Sequence, residues 1–388
     1  MPPRDPSERS VRMAVVARET SRGTQQEVIA GILGISQPEV SRLRKEARDD
    51  GWLGLPSFNI VEPDVWSRAE NRFYSTEPLC AALSRRAGQQ GRLLHRIILL
   101  HTGHDGRIDA GAVDIFHVLL RDAGTVGVTW GRTISRVVDA LKHRSIAASG
   151  SSRRHHVTFV PLCGEPLADG DPSSHSSSVL AQRLTEIFNG GGVAPAPPSI
   201  AGVQAFIPLK VGRLNETAEI RHLISVVRGH ARVFGTPDGP RGYEPPLVDR
   251  LDGILTSVGR ADQDRRGTFL TERIQVGDIT EEQMTRSVAG DIGGVIIPKA
   301  GIRPDDERLI TAMNSNWTGV RLEHLRKCAD AARVAGFPPK RPGVVVLALG
   351  ARRLRVVLRC LQLGLVNQLV IDRELADRLT EYVSAPRT

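Results

Sequence analysis

The chain has 388 residues, 52 of them Lys or Arg against 43 Asp or Glu, for a formal net charge of +9 with 40% hydrophobic residues. That length supports about two or three domains with ample material for a core, and no run of roughly 18 apolar residues is present to span a bilayer. Met1 to Ser10 lacks the apolar stretch of a secretory signal, so a cytoplasmic protein is expected.

The four cysteines, Cys80, Cys163, Cys328 and Cys360, lie far apart with no C-x-x-C pair. They read as reduced buried thiols rather than a disulfide framework or a zinc site. The positive surplus suits a polyanionic partner, yet acids and bases nearly balance in residues 1–55. Much of the surplus sits in Arg85-Arg86, Arg153-Arg154, Lys340-Arg341 and Arg352-Arg353-Arg355.

In chain order, Ser10 to Thr20 has helix-forming composition, and Thr24 to Leu55 reads as helix, tight turn, helix. Gly34 supplies a residue free to take positive φ where the first helix stops. Ser36 begins the second, with Glu39 completing a capping box and Pro38 tolerated in the first turn. Ile29, Ile32, Leu33, Ile35, Val40, Leu43 and Ala47 fall at spacings that turn two short helices toward each other. Gln37, Ser41, Arg42, Arg44, Lys45 and Arg48 form the outward face, residue types that reach base edges and phosphates from a major groove. The alternative is a plain helical hairpin with a solvated charged face. Gly51 ends the second helix, Trp52 closes the small core, and Pro56 to Pro63 is a linker.

Beyond the linker, strands and helices alternate. Helices are expected at Val65–Gly88, Asp109–Ala123, Ile134–His143, Val179–Asn189, Glu216–Arg228 and Ala351–Leu363, and from Asp372 onward. Strands are expected at Arg96–His101, Thr125–Val128, His156–Leu162, Val203–Pro208, Leu251–Val258, Gly343–Leu349 and Val366–Ile371. A variable, charged loop leads into Val288–Ile292 and Val295–Ile297. The fold class is therefore α/β: an N-terminal three-helix helix-turn-helix unit (1–55), a linker (56–63) and a doubly wound, mostly parallel α/β domain (64–388).

Ligands of open α/β sheets bind at the carboxyl ends of the strands. Trp130-Gly131-Arg132-Thr133 is the sharpest candidate there, a helix start with free amides and two side-chain donors, suited to a phosphate. Gly350-Ala351-Arg352-Arg353 is the second. A glycine in such a turn is more often mere backbone necessity. For an enzyme, Asp291, Asp372, Glu165 and His175 are candidate bases, but none of their spacings is a recognisable catalytic pair. His101-x-x-His104 and His155-His156 have no third ligand nearby, so no metal and no cofactor is expected.

The run Leu33-Gly34-Ile35-Ser36-Gln37-Pro38-Glu39-Val40-Ser41-Arg42-Leu43, followed by Ala47 and Gly51, resembles the helix-turn-helix of SorC-type bacterial transcriptional regulators. Val126 to Thr133, Val160 to Gly164, Asp252 to Gly259, Gly290-Asp291-Ile292 and Val345 to Ala376 resemble that family's sugar-binding domain. Its sheet is similar to those of ribose-phosphate isomerases and glucosamine-phosphate deaminases. The resemblance implies a regulator of operator DNA controlled by a phosphorylated sugar and acting as a homodimer or homotetramer, nucleoid-associated when bound to DNA. It implies Ser36, Gln37, Pro38, Ser41, Arg42, Arg44 and Lys45 at DNA, and Gly131, Arg132, Thr133, Gly164, Asp291, Gly350 and Arg353 at the effector.

Two departures stand out. Where the family has two glycines and then a lysine, this chain has Leu349-Gly350-Ala351-Arg352-Arg353, which keeps a positive charge without the compact ammonium. The glycine pair after Pro161-Leu162 is broken, as Gly164-Glu165. They imply an unusual effector or weakened effector binding. The alternatives are a sugar-phosphate isomerase or deaminase with a helical appendage, and an architectural DNA binder that senses no effector.

Overall fold

The computed structural model describes residues 7–21, 24–53, 76–87, 94–100, 108, 116, 119–120, 123–147, 156–165, 175–189, 196–210, 216–236, 245–262, 267–334 and 341–386. Two compact units make up the chain, one with the N-terminal helices and one with the sheet. The expected linker lies outside the described residues.

The helical unit comprises α1 (Glu8–Ser21), α2 (Gln26–Leu33) and α3 (Gln37–Asp49). Val11, Val15, Ile29, Leu33, Val40, Leu43 and Ala47 are buried together, and Trp52 joins them. At roughly 1.5–3 kcal/mol for each large aliphatic side chain buried, this core is what holds three short helices together. The expected turn forms: Gly34 takes φ 63°, and its amide donates to the Ala30 carbonyl.

The expected capping box does not form. Ser36 has the extended backbone of a cap residue, but its side chain makes no capping hydrogen bond. Glu39 stands instead 3.7 Å from Arg12 of α1. A partner on another helix competes for the carboxylate that the box requires. Pro38 does sit in the first turn of α3.

The α/β unit has, among the described residues, the strands β1 (Arg96–Leu100), β2 (Thr125–Val128), β3 (Thr158–Pro161), β4 (Gly253–Arg260), β5 (Val288–Ile292), β6 (Val295–Pro298), β7 (Gly343–Ala348) and β8 (Gln368–Asp372). Their order is β1-β8-β7-β4-β2-β3, and every pairing along this path is parallel. β7, Gly-Val-Val-Val-Leu-Ala, is buried at every position, as a central strand covered on both faces must be.

The helices are α4 (Glu77–Arg86), α5 (Arg132–Ala147), α6 (Ser177–Asn189), α7 (Glu216–Val226), α8 (Arg228–Phe234), α9 (Thr268–Gln275), α10 (Glu281–Ser287), α11 (Pro304–Ser315), α12 (Leu322–Val334), α13 (Leu354–Gln362) and α14 (Arg373–Ser384). Val344, Val346 and Ala348 share a core with Leu325, Cys328 and Ala329 of α12. Asn367 ties this layer together: its amide group donates to Ala329 O at 3.1 Å and accepts from Val344 N at 2.8 Å. Asp372 caps α14 through the Leu375 amide, as expected.

Two expectations are corrected, and a third feature, on whose pairing the sequence was silent, is defined. Val203–Pro208 is not a strand. It makes only the isolated bridges Glu165–Gln204 and Phe206–Trp317, because the segments it lies beside are loops. The charged stretch before Val288 is not simply a loop, since it carries α9 and α10. The latter starts with a capping box between Thr280 and Gln283 that was there to be read. Finally, β5 and β6 form an antiparallel hairpin, with β5 paired to the end of β4. Gly293 and Gly294, at φ 57° and 89°, make the two-residue turn that Gly-Gly favours.

Two other expectations are only partly visible. Of Val65–Gly88 the described helical part is α4, and most of Asp109–Ala123 lies outside the described residues.

In α9, Arg273 is fully buried and donates to Asp278 at 2.6 Å and to Met313 O at 2.7 Å. Burial lowers its pKa to about 10, and the Asp278 charge opposes that shift.

Candidate functional site

Along the sheet, the chain leaves β2 toward β3 on one side and leaves β4 toward β7 and β8 on the other. Adjacent parallel strands whose connections diverge in this way open a crevice at their carboxyl ends. Thr129 to Arg132 follow β2 there, and Ser257 to Arg260 end β4.

The β2 turn is shaped for a helix start. Gly131 takes φ 138°, and a Cβ on it would stand 2.7 Å from the Ser257 hydroxyl. The first amide to bond within α5 is Ser135, which donates to Gly131 O at 3.0 Å. The amides of Arg132, Thr133 and Ile134 therefore belong to the unbonded first turn, at the positive end of the helix dipole. The Gly131 amide is engaged by His175 O at 3.2 Å. Arg132 is exposed and Thr133 half-buried.

Four arginines come together here. The Arg353 guanidinium is held below the ordinary arginine value, by burial first and then by the positive charge of Arg260. Asp372 opposes this, and Arg132 and Arg136 add to it. Arg260 and Arg136 were not among the expected residues. Arg136 was legible, because it follows Arg132 by four residues on one helix face. Arg260 directly follows the Asp252–Gly259 run.

Arg353 does not simply replace a lysine. Its side chain donates to Leu349 O, just past β7, and, at 3.4 Å, to Val258 O among the last residues of β4. The Gly350 amide likewise donates to Asp372 at 2.8 Å. Asp372 is thus shared between this turn and the cap of α14. A ligand at the crevice would meet Arg132 and Arg136 as the exposed charges, with Arg260 held by Asp262 at 3.0 Å.

Asp291 lies on β5 against the end of β4, opposite Gly259. It is buried, and burial pushes its carboxyl up to about 6 although the Gly294 amide and the Arg353 charge favour the ionised form. Gly164 belongs to the next strand end. It is buried against the Val203 and Gln204 carbonyls, with no room for a Cβ. Its neighbour Cys163 is joined to the β2 turn, accepting from the Trp130 amide at 3.2 Å.

Buried in this way, the Cys163 thiol is pushed up to about 12. Cys328 and Cys360 are also buried thiols, and the half-buried Cys80 thiol donates to Leu94 O at 3.5 Å. His101, His104 and His155 lie outside the described residues, and among the described residues no group of three His, Cys, Asp or Glu could hold a metal. No described helix is long and apolar enough to cross a membrane.

The helical unit carries the second candidate surface. Ser36, Gln37, Pro38, Ser41, Arg42, Lys45 and Arg48 are exposed along α3. Gln37 also donates to Glu27 of α2 at 3.1 Å. Arg44 is half-buried, because four residues after the core residue Val40 it lies at the edge of the packed face.

No family model matches the sequence, and no curated protein matches it. Solved structures do. The full-length sorbitol operon regulator SorC of Klebsiella pneumoniae superposes with TM-score 0.52 at 18% identity, over 95% of this chain and 98% of that one. The probable sor operon regulator of Shigella flexneri superposes with TM-score 0.50 at 15% identity, over 79% of this chain and 99% of that one. At such identities the likeness speaks for the architecture, and this chain has the fold of the full-length sorbitol operon regulator over nearly the whole length of both.

Proposed function

We propose that the chain is a SorC-type transcriptional regulator that binds operator DNA through α3 and responds to a phosphorylated sugar at the switch point of its sheet. The observation that carries this reading is the convergence of Arg132, Arg136, Arg260 and Arg353 on the carboxyl ends of β2, β4 and β7. An anion bound there meets positive charge, the dipole end of α5 and its first-turn amides together. Ser36, Gln37, Pro38, Ser41, Arg42 and Lys45 supply the DNA contacts, with Arg44 supporting the helix from its half-buried position.

Gly131, Arg132 and Thr133 hold the phosphate in this reading. Gly164, Asp291, Gly350 and Arg353 shape the crevice around it. One recognition helix reads few base pairs, so two or four copies act together on paired half-sites. The effector shifts the arrangement of those copies.

A thermal-shift screen of the full chain against phosphorylated sugars and their unphosphorylated counterparts tests the sensor. A ligand at 100 times its Kd adds about 2.7 kcal/mol of stability. A screen in which no phosphorylated sugar raises the melting temperature above its unphosphorylated counterpart removes the effector assignment.

Asp291 favours a second reading, a sugar-phosphate isomerase or deaminase, since a carboxyl with a pKa near 6 suits general acid–base chemistry. Turnover of a phosphorylated aldose or amino sugar, lost in Asp291→Asn, would establish it over the regulator.

A further inference from the structure

Resting on the DNA-reading role proposed for α3, we infer that Glu27 of α2 is a positioning residue for base readout. It fixes the side-chain amide of Gln37 so that Gln37 reads adenine and rejects guanine. The observation is a bond between the two helices. Gln37 Nε2 donates to Glu27 Oε1 at 3.1 Å, across 10 residues of chain, and both side chains are exposed. Glu27 stands in the first turn of α2, and Gln37 is the first residue of α3. The helix before a recognition helix crosses the DNA backbone, and the first residues of the recognition helix meet base edges. Gln37, Ser41 and Lys45 follow one another along one exposed face of α3, with Gln37 at the end that enters the groove.

The chemistry of the bond decides which way the amide points. A carboxylate only accepts, whereas a carboxamide has a donating NH2 group and an accepting oxygen. Glu27 therefore holds Nε2 toward α2 and leaves Oε1 and the second Nε2 hydrogen for a ligand. One acceptor beside one donor matches the major-groove edge of adenine, which offers its N6 donor beside the N7 acceptor. Guanine offers two acceptors, O6 and N7, and would set O6 against Oε1. A glutamine free to turn over brings its NH2 group to O6 or N7 instead, so guanine is rejected only while Glu27 holds the amide. An acid beside a phosphate-contacting surface weakens binding to every sequence alike. What Glu27 contributes is thus discrimination between bases, not strength.

The test uses the full chain and a duplex selected from random sequence, with each base pair then replaced in turn. The parent is expected to require adenine at one position of each half-site and to lose about 10-fold in affinity when that A·T pair becomes G·C. Glu27→Ala and Gln37→Ala should each bring this ratio to within about twofold, and the double variant should lower it no further, because the two residues act as one unit. Glu27→Gln should keep the ratio, since its own carboxamide oxygen accepts the same bond. Alanine is the best helix former and both positions are exposed, so the variants should keep the parent's circular dichroism and melting temperature. A residue that only braced α2 against α3 would lower the melting temperature and leave the base preference unchanged.

A folded Glu27→Ala protein with the parent's adenine preference overturns the inference. So does a selected duplex on which Gln37→Ala changes the preference at no base pair. A parent that selects no duplex removes the DNA-reading role and the inference with it. A parent whose selection depends on Arg42 but not on Glu27 keeps that role and loses only the inference, so the two failures are distinguishable.

Discussion

Gly259 and Asp291 face each other where β4 pairs with β5, and the carboxylate occupies the space that the glycine leaves empty. A Cβ at Gly259 would stand 1.9 Å from Asp291 Oδ1. This close approach seats an acidic group inside the sheet end, within the field of Arg353 and with the Gly294 amide 3.1 Å away. Gly259→Ala must push that carboxylate aside, and overpacking of this kind costs typically 1–3 kcal/mol. Urea denaturation measures it, and a loss below about 0.3 kcal/mol would mean that the carboxylate moves freely.

Asp291 also gives the fold a pH dependence. Its pKa in the folded chain, about 6, lies above the ordinary 3.8. The folded state therefore holds more protons than the unfolded state between those values. Stability from this group falls as pH rises from about 4 to 6 and is flat above that. Asp291→Asn should lose this part of the slope and gain on the order of 2–3 kcal/mol near neutral pH. Denaturation of both proteins across the window decides the point: parallel curves would show that Asp291 does not titrate there.

Arg132 is the exposed arginine at the start of α5. Arg132→Ala is expected to abolish any change in DNA affinity caused by a phosphorylated sugar while leaving the affinity of the free protein intact. Fluorescence anisotropy with labelled operator, titrated with the sugar, reads both quantities. Equal responses in variant and parent remove Arg132 from the site.

Two neighbouring arginines of α3 should behave differently. Arg42 is exposed and Arg44 half-buried. Arg42→Ala is expected to lower affinity for a duplex selected from random sequence by about 1–3 kcal/mol, with relaxed preference at one base pair. Arg44→Ala should act mainly through the stability of the helical unit. Leu43→Ala, which opens that unit's core, should cost about 2–5 kcal/mol. An Arg42→Ala protein with parental affinity and sequence preference would free α3 of its assigned role.

Asp278 holds the buried Arg273 guanidinium and also accepts from the Leu209 amide at 2.6 Å. Asp278→Ala leaves that cation without its counter-charge, a loss of about 3–5 kcal/mol. Replacing both partners with apolar residues should recover much of it, which chemical denaturation of the single and double variants can check.

Much of this protein is written locally. The turn at Gly34, the cap at Asp372 and the alternation that makes β1, β2, β7 and β8 depend on residues within a few positions of one another, so spacing and residue type were enough to read them. The same holds for the exposed stripe of Gln37, Ser41, Arg42 and Lys45, because a helix of known phase displays its faces in its sequence.

What the tertiary structure alone decided involves partners distant along the chain. Glu39 is drawn to Arg12 instead of closing its own helix, and Gly164 is sealed by the carbonyls of Val203 and Gln204. Above all, β4 lies between β2 and β7, and this strand order gathers arginines from positions 132, 136, 260 and 353 at one sheet end. No local pattern encodes that order, since it is set by which apolar faces bury best against one another once the helices have formed.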